Sequence, residues 1–222
     1  MLTFKIIVLG DAAVGKTCLM NNYLGKAFID HDPPTIGVEF GARTEEMTQI
    51  IKPELMKQYN DLLESKRYNP ETEVRVHIWN SSGQERFHSI VTGYYRNTNG
   101  VVFVCDLTRK STMNHLEFWI EDYKKMTGKK IKDIGCIIVG TKADLVNERE
   151  VYEEDMRKIA QKHNIPFFIV SNKDDHDKIT RIFNNITNQM LEHWIEDPPT
   201  NEIELQHLLI ENTSSKGCCV LL

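Results

Sequence analysis

Residues 10–17, Gly10-Asp11-Ala12-Ala13-Val14-Gly15-Lys16-Thr17, decide how the rest of this chain is read. They match the pattern GxxxxGK[ST]. They also follow an apolar run at 4–9 that reads as a buried strand, and they open a segment of helical periodicity at 16–24, the context this motif requires. Glycines at 10 and 15 let the backbone curl so that successive N–H groups point at phosphate oxygens, where the start of a helix adds positive potential. Lys16 reaches the outer phosphates, and Thr17 offers a hydroxyl to magnesium, an ion that takes hard oxygen ligands. The phosphate-binding set extends to Cys18.

Working outward, buried-strand runs recur at 100–105, 135–139 and 166–170, separated by helical stretches at 111–126, 152–163 and 175–194. That alternation predicts an α/β fold with a parallel sheet covered on both faces. Two further strands, 36–47 and 74–79, read as an antiparallel pair at one edge, with Val74, Val76 and Ile78 alternating against Arg75 and His77. The expected class is therefore a P-loop NTPase domain with a six-stranded, mostly parallel sheet and one antiparallel edge strand. The hairpin connection, 48–73, is far longer than a hairpin needs. Pro53 and Glu54 suit a helix start, Lys66 and Arg67 a helix end, and Leu55, Met56, Tyr59, Leu62 and Leu63 share one face. That face either packs on its own domain or binds a partner, and the sequence does not choose.

The 222 residues suit one domain, placed at 1–195, with a polar, flexible tail at 196–222. A net charge of −5 without a basic cluster argues against nucleic acid as a partner. The start, MLTFKIIVLG, lacks the pattern of a signal peptide, so the cytosol is the expected compartment. Cys18, Cys105 and Cys136 are scattered singly and form no disulfide framework.

Base choice falls to Thr141-Lys142-Ala143-Asp144, which follows an apolar strand and so lies where open parallel sheets bind ligands. The Asp144 carboxylate can accept from both N1–H and N2–H of guanine. Adenine lacks that donor pair and would leave the carboxylate unpaired.

With PTIGVEF at 34–40, WNSSGQERF at 79–87, YYR at 94–96, TKAD at 141–144 and SNK at 171–173, the chain resembles the Rab family of Ras-like small GTPases over about residues 4–195. The resemblance implies that Lys142 and Asp144 read guanine, and that Ser171, Asn172 and Lys173 form the second base-contacting loop. It further implies that Phe28 supports the base. Thr141 replaces an Asn usual in the family, which predicts a weaker tether. Thr35 and Gly83 are implied as sensors of the γ-phosphate, with Thr35 also meeting magnesium, and Gln84 is implied to orient the attacking water beside Lys16. Phe40, Trp79 and Tyr94 fall where the family carries an aromatic triad on its effector face, although from the sequence alone core packing is the better explanation of such residues.

The departure from the family is Asn80, where an aspartate normally holds magnesium through the ion's waters. An amide lacks the charge, so weakened magnesium binding and slow GTP hydrolysis are expected. The ending, Gly217-Cys218-Cys219-Val220-Leu221-Leu222, carries a prenylation pattern of the geranylgeranyl kind, with both cysteines as candidates. The resemblance then implies GTP and GDP as ligands, magnesium as cofactor, and the cytoplasmic face of an intracellular membrane as location. It implies effectors, an exchange factor, a GTPase-activating protein and a prenyl-binding chaperone as partners.

Overall fold

A computed structural model describes residues 1–30, 33–66, 70–83 and 88–198, with only the backbone described at 88–90. Six strands form one sheet in the order β2-β3-β1-β4-β5-β6. They are β1 (Leu2–Leu9), β2 (Val38–Glu46), β3 (Glu73–Ser81), β4 (Gly100–Asp106), β5 (Gly135–Thr141) and β6 (Phe167–Ile169). All neighbours pair in parallel except β2, which runs antiparallel to β3 at the edge. The fold class expected from the sequence is the one observed.

The helices are α1 (Lys16–Tyr23), α2 (Met47–Ile50), α3 (Pro53–Ser65), α4 (His88–Gly93), α5 (Lys110–Asn114), α6 (Leu116–Thr127), α7 (Glu153–His163) and α8 (His176–Glu196). Successive residues of a strand face opposite sides, so β1 feeds two cores at once. Phe4, Ile6 and Val8 pack into a layer with Leu19 of α1 and Ile182 and Ile186 of α8, whereas Ile7 and Leu9 join Leu116, Trp119 and Ile120 of α6. The single helix expected at 111–126 is divided at His115, and α5 and α6 lie on either side of it. The strand expected from 36 begins only at Val38, because Gly37 takes φ +73°, outside the extended region.

The long connection carries structure of its own. α2 continues from β2, and the Met47 N–H donates to Thr72 O at 2.8 Å, closing the stem of the hairpin. α3 then lies against α8, with Leu55, Tyr59 and Leu63 buried in the same core as Trp194. The Tyr59 and Trp194 rings are 5.6 Å apart. Asn188 of α8 clips the entry to α3: its Oδ1 accepts from the Lys52 N–H at 2.9 Å, and its Nδ2 donates to Ile50 O at 2.9 Å. The apolar face of α3 is therefore spent on its own domain, which decides between the two alternatives left by the sequence. Leu63→Ala, which removes a fully buried side chain, should cost about 2–5 kcal/mol. At about 2–4 °C per kcal/mol that lowers Tm by roughly 4–20 °C in thermal melts, with nucleotide affinity unchanged because α3 contributes nothing to the cavity described next.

Candidate nucleotide site

Because β1, β3, β4, β5 and β6 run parallel, the loops leaving their C-terminal ends converge on one edge of the sheet, and the segment entering antiparallel β2 joins them there. Between these loops lies a cavity of about 600 Å³, lined among others by Lys16, Thr17, Phe28, Thr35, Lys142, Asp144, Asn172 and Lys173. Residues scattered from 12 to 173 thus meet in one place.

The phosphate loop is shaped by close approach. Gly10 takes φ +148°, and a Cβ there would run into the carbonyl of Val104 on neighbouring β4, so only glycine fits. Gly15 caps α1 with φ 90°. Lys16 is 4% exposed; its Nζ donates to Gly10 O at 2.9 Å and Asp11 O at 2.5 Å. Burial pushes its pKa down to about 7, opposed by the Asp11 carboxylate and reinforced by Arg109. The loop is pinned from outside. Asp11 Oδ1 pairs with His115 Nδ1 at 2.6 Å and accepts from Trp119 Nε1 at 2.8 Å, so its carboxylate is held by the break before α6 and by α6 itself, and only its backbone serves the loop. Arg109 Nη2 donates to Ala12 O at 3.1 Å.

At one side of the cavity, Thr17 Oγ1 and Thr35 Oγ1 are hydrogen-bonded at 2.7 Å. Ligands at about 2.0–2.1 Å in an octahedron sit roughly 3 Å from their neighbours, so two hydroxyls this close suit adjacent positions on one ion. Asn80, fully buried at the end of β3, donates its Nδ2 to Thr17 Oγ1 at 2.8 Å and to Glu39 Oε2 at 2.9 Å. Asn80 Oδ1 is buried and accepts no hydrogen bond. The oxygens gathered here, of Thr17, Thr35 and Glu39, are hard donors that fit magnesium. Gly83 takes φ +69° and lies against the phosphate loop, where a Cβ would collide with Gly10 O and Lys16 Nζ. Gln84 lies outside the described residues, as do Cys218 and Cys219.

At the opposite side, Lys142 adopts a left-handed φ of +61°, and its Nζ pairs with Asp106 Oδ2 at 2.7 Å. Burial by itself would raise the Asp106 pKa, but Lys142 and Thr108 hold the carboxyl below its ordinary range. Asp144 and Lys173 are exposed at the mouth, with Phe28 beside them. Ser171 Oγ accepts the N–H groups of Lys173 and Asp174, both at 3.2 Å, folding the second loop. Thr141, expected to tether the loop more weakly than an Asn, makes two hydrogen bonds of its own. Thr141 Oγ1 reaches Val14 O at 2.5 Å and Cys105 O at 3.0 Å, and Asn172 Nδ2 adds a bond to Gly15 O at 2.9 Å. The amide missing at 141 is supplied from 172.

Phe40, Trp79 and Tyr94 form a row across β2, β3 and the turn after α4, with centroids 5.0 and 4.9 Å apart. Trp79 and Tyr94 rest on the core while Phe40 is 52% exposed, so the row is packed from below and open above. Asp106, Arg109, His115 and Trp119 serve the site without belonging to a motif, and Glu39 belongs to one only as a letter. None of them carries a short-range signal, since each acts on a partner that only the assembled sheet brings near.

A six-stranded, mostly parallel sheet with a glycine-rich loop leading into α1, a hydroxyl pair beside it and the TKAD segment at the end of β5 define a P-loop class of protein. A model of the Ras family matches residues 5–192. Ras-related protein Rab-33 of Caenorhabditis elegans is 31% identical over 229 residues, covering 98% of this chain and 67% of that protein. The chain belongs to the Ras family of small GTPases, in its Rab branch.

Proposed function

We propose that this chain is a magnesium-dependent GTP/GDP switch that works on an intracellular membrane in vesicle trafficking and hydrolyses GTP slowly. The observation that carries the reading is the hydrogen bond between Thr17 and Thr35, which joins the phosphate loop to the segment entering β2. Thr35 lies between the exposed residues Pro34 and Ile36, so a ligand that holds its hydroxyl next to Thr17 would set the conformation of the chain leading to Phe40. Gly83, against Lys16 Nζ, would couple the segment after β3 to the same phosphate. Lys16 would give up the carbonyls of Gly10 and Asp11 for phosphate oxygens and stabilise charge as the terminal phosphate leaves, while Gln84 would orient the water. Magnesium bound to the two hydroxyls would neutralise phosphate charge. Effectors would read the outcome at Phe40, Trp79 and Tyr94.

A second reading, in which the chain holds nucleotide with little turnover and serves as an effector-binding module, is favoured by the uncharged amide at position 80. Single-turnover GTP hydrolysis across magnesium concentrations separates the two. Cleavage that accelerates with magnesium supports the enzyme; bound GTP left intact supports the module.

Lys16 also gives the site a pH dependence. With its pKa near 7 in the protein alone and raised once phosphate lies beside it, the complex holds one more proton than its components between those two values. Affinity is therefore full below about pH 7 and falls as pH rises, by at most about tenfold per unit for one proton. Calorimetric titrations with GDP in buffers of different ionisation enthalpy should show proton uptake at pH 8, and this component should vanish in Lys16→Met.

Membrane attachment would rest on Cys218 and Cys219. One lipid chain binds only marginally, so replacing both cysteines by Ser should move the protein wholly to the soluble fraction of a cell lysate. A single replacement should leave a partial shift.

A further inference from the structure

We propose that Glu39 supplies to the magnesium site the carboxylate that position 80 lacks, an inference that rests on the switch reading above. The register of the edge hairpin places Glu39 of β2 directly across from Asn80 of β3. The two side chains meet, Asn80 Nδ2 donating to Glu39 Oε2 at 2.9 Å. A carboxylate only accepts, so this contact fixes the amide: its N–H edge faces Glu39 and Thr17, and its oxygen is turned away, buried and unpaired. Asn80 is thereby spent as a donor. It offers neither charge nor an acceptor toward the two hydroxyls.

Glu39 offers both. Its Oε2 also accepts from Thr35 Oγ1 at 3.4 Å. A hydroxyl that gives its proton to Glu39 keeps its lone pairs for a cation, and a hydrated divalent ion beside Thr17 and Thr35 needs acceptors for the protons of its waters. Among the described residues, Glu39 is the carboxylate hydrogen-bonded to this group of side chains. An aspartate at position 80 would set two carboxylates across one antiparallel pair, an unfavourable opposition in the absence of metal. Asn80 and Glu39 carry one charge between them, on β2. Because Glu39 sits four residues from Thr35, on the strand that carries Phe40, metal binding is tied to the same segment that reports the nucleotide.

The test uses the full chain loaded with N-methylanthraniloyl-GDP, with its release rate followed from micromolar to millimolar free magnesium. Glu39→Gln keeps an acceptor for Asn80 and removes only the charge. It should raise the half-saturating magnesium concentration about 10–100-fold, the usual loss when such an outer partner is removed, while release in excess chelator stays as in wild type. Asn80→Asp should lower that concentration, and in its background Glu39→Gln should cost little, since the carboxylate introduced on β3 then carries the charge. A magnesium-dependent wild type with Glu39→Gln unchanged overturns the proposal alone, leaving Glu39 a mere hydrogen-bond partner. A wild type indifferent to magnesium overturns the switch reading and the proposal with it. Should Glu39→Gln fail to retain nucleotide in chelator, the Asn80→Asp, Glu39→Gln double variant decides, because the proposal requires it to match or exceed wild type.

Discussion

Lys16→Met will lose nucleotide affinity by about 10²–10⁴-fold without unfolding. The ammonium is buried and donates to the carbonyls of Gly10 and Asp11. Exchanging those neutral acceptors for phosphate oxygens gains charge-assisted hydrogen bonds worth about 1.5–3 kcal/mol each, and two of them account for the range. Methionine keeps the length and packing of the side chain but donates nothing. The fold should not suffer, because a cation whose pKa burial has driven to about 7 is itself desolvated at a cost. Removing it leaves Tm in the absence of nucleotide equal or higher. Equilibrium binding of fluorescent GDP together with thermal melts checks both halves; a variant that binds normally would show that Lys16 does not meet phosphate.

Asp144→Asn will turn the base preference from guanine toward xanthine. The carboxylate at the mouth of the cavity, just past the buried strand β5, accepts from N1–H and N2–H of guanine in the proposed arrangement. Asparagine retains one acceptor and sets an N–H against the N2–H₂ group, so two hydrogen bonds of about 1.5–3 kcal/mol weaken together. Guanine affinity should fall about 10²–10⁴-fold, the same two-bond conversion. Xanthine carries a carbonyl at that position, accepts from the new amide and keeps its N1–H for the oxygen, so its affinity should rise. Competition between GDP and XDP for the labelled site measures the ratio. An unchanged preference would remove Asp144 from base recognition.

Much of the fold was legible because buried parallel strands are continuous apolar runs: 100–105 and 135–139 differ from β4 and β5 only at their ends, where Asp106, Gly140 and Thr141 are polar or small but still pair. The phosphate loop was legible because its residues are contiguous, and so were Thr141, Lys142 and Asp144. What was not legible depends on contacts far apart in sequence. The break at His115 coincides with its reach to Asp11, 104 positions away. Burial of α3 required Trp194, and the tie from the second loop to the start of α1 required knowing that Asn172 approaches Gly15. Glu39 shows the limit most clearly. Its letter is ordinary within PTIGVEF, and its meaning comes from facing Asn80 across a strand pair whose register no local pattern announces.

Everything proposed for this chain depends on the cavity holding a guanine nucleotide through magnesium. The measurement that tests this most directly is displacement of bound labelled GDP by unlabelled GDP, GTP or ATP in millimolar magnesium, repeated in excess chelator. The expected result is displacement by GDP and GTP but not by ATP, and release at least about tenfold faster once magnesium is removed, the lower end of what a lost metal-site partner costs. Equal displacement by ATP, or release at the same rate with and without magnesium, would contradict it.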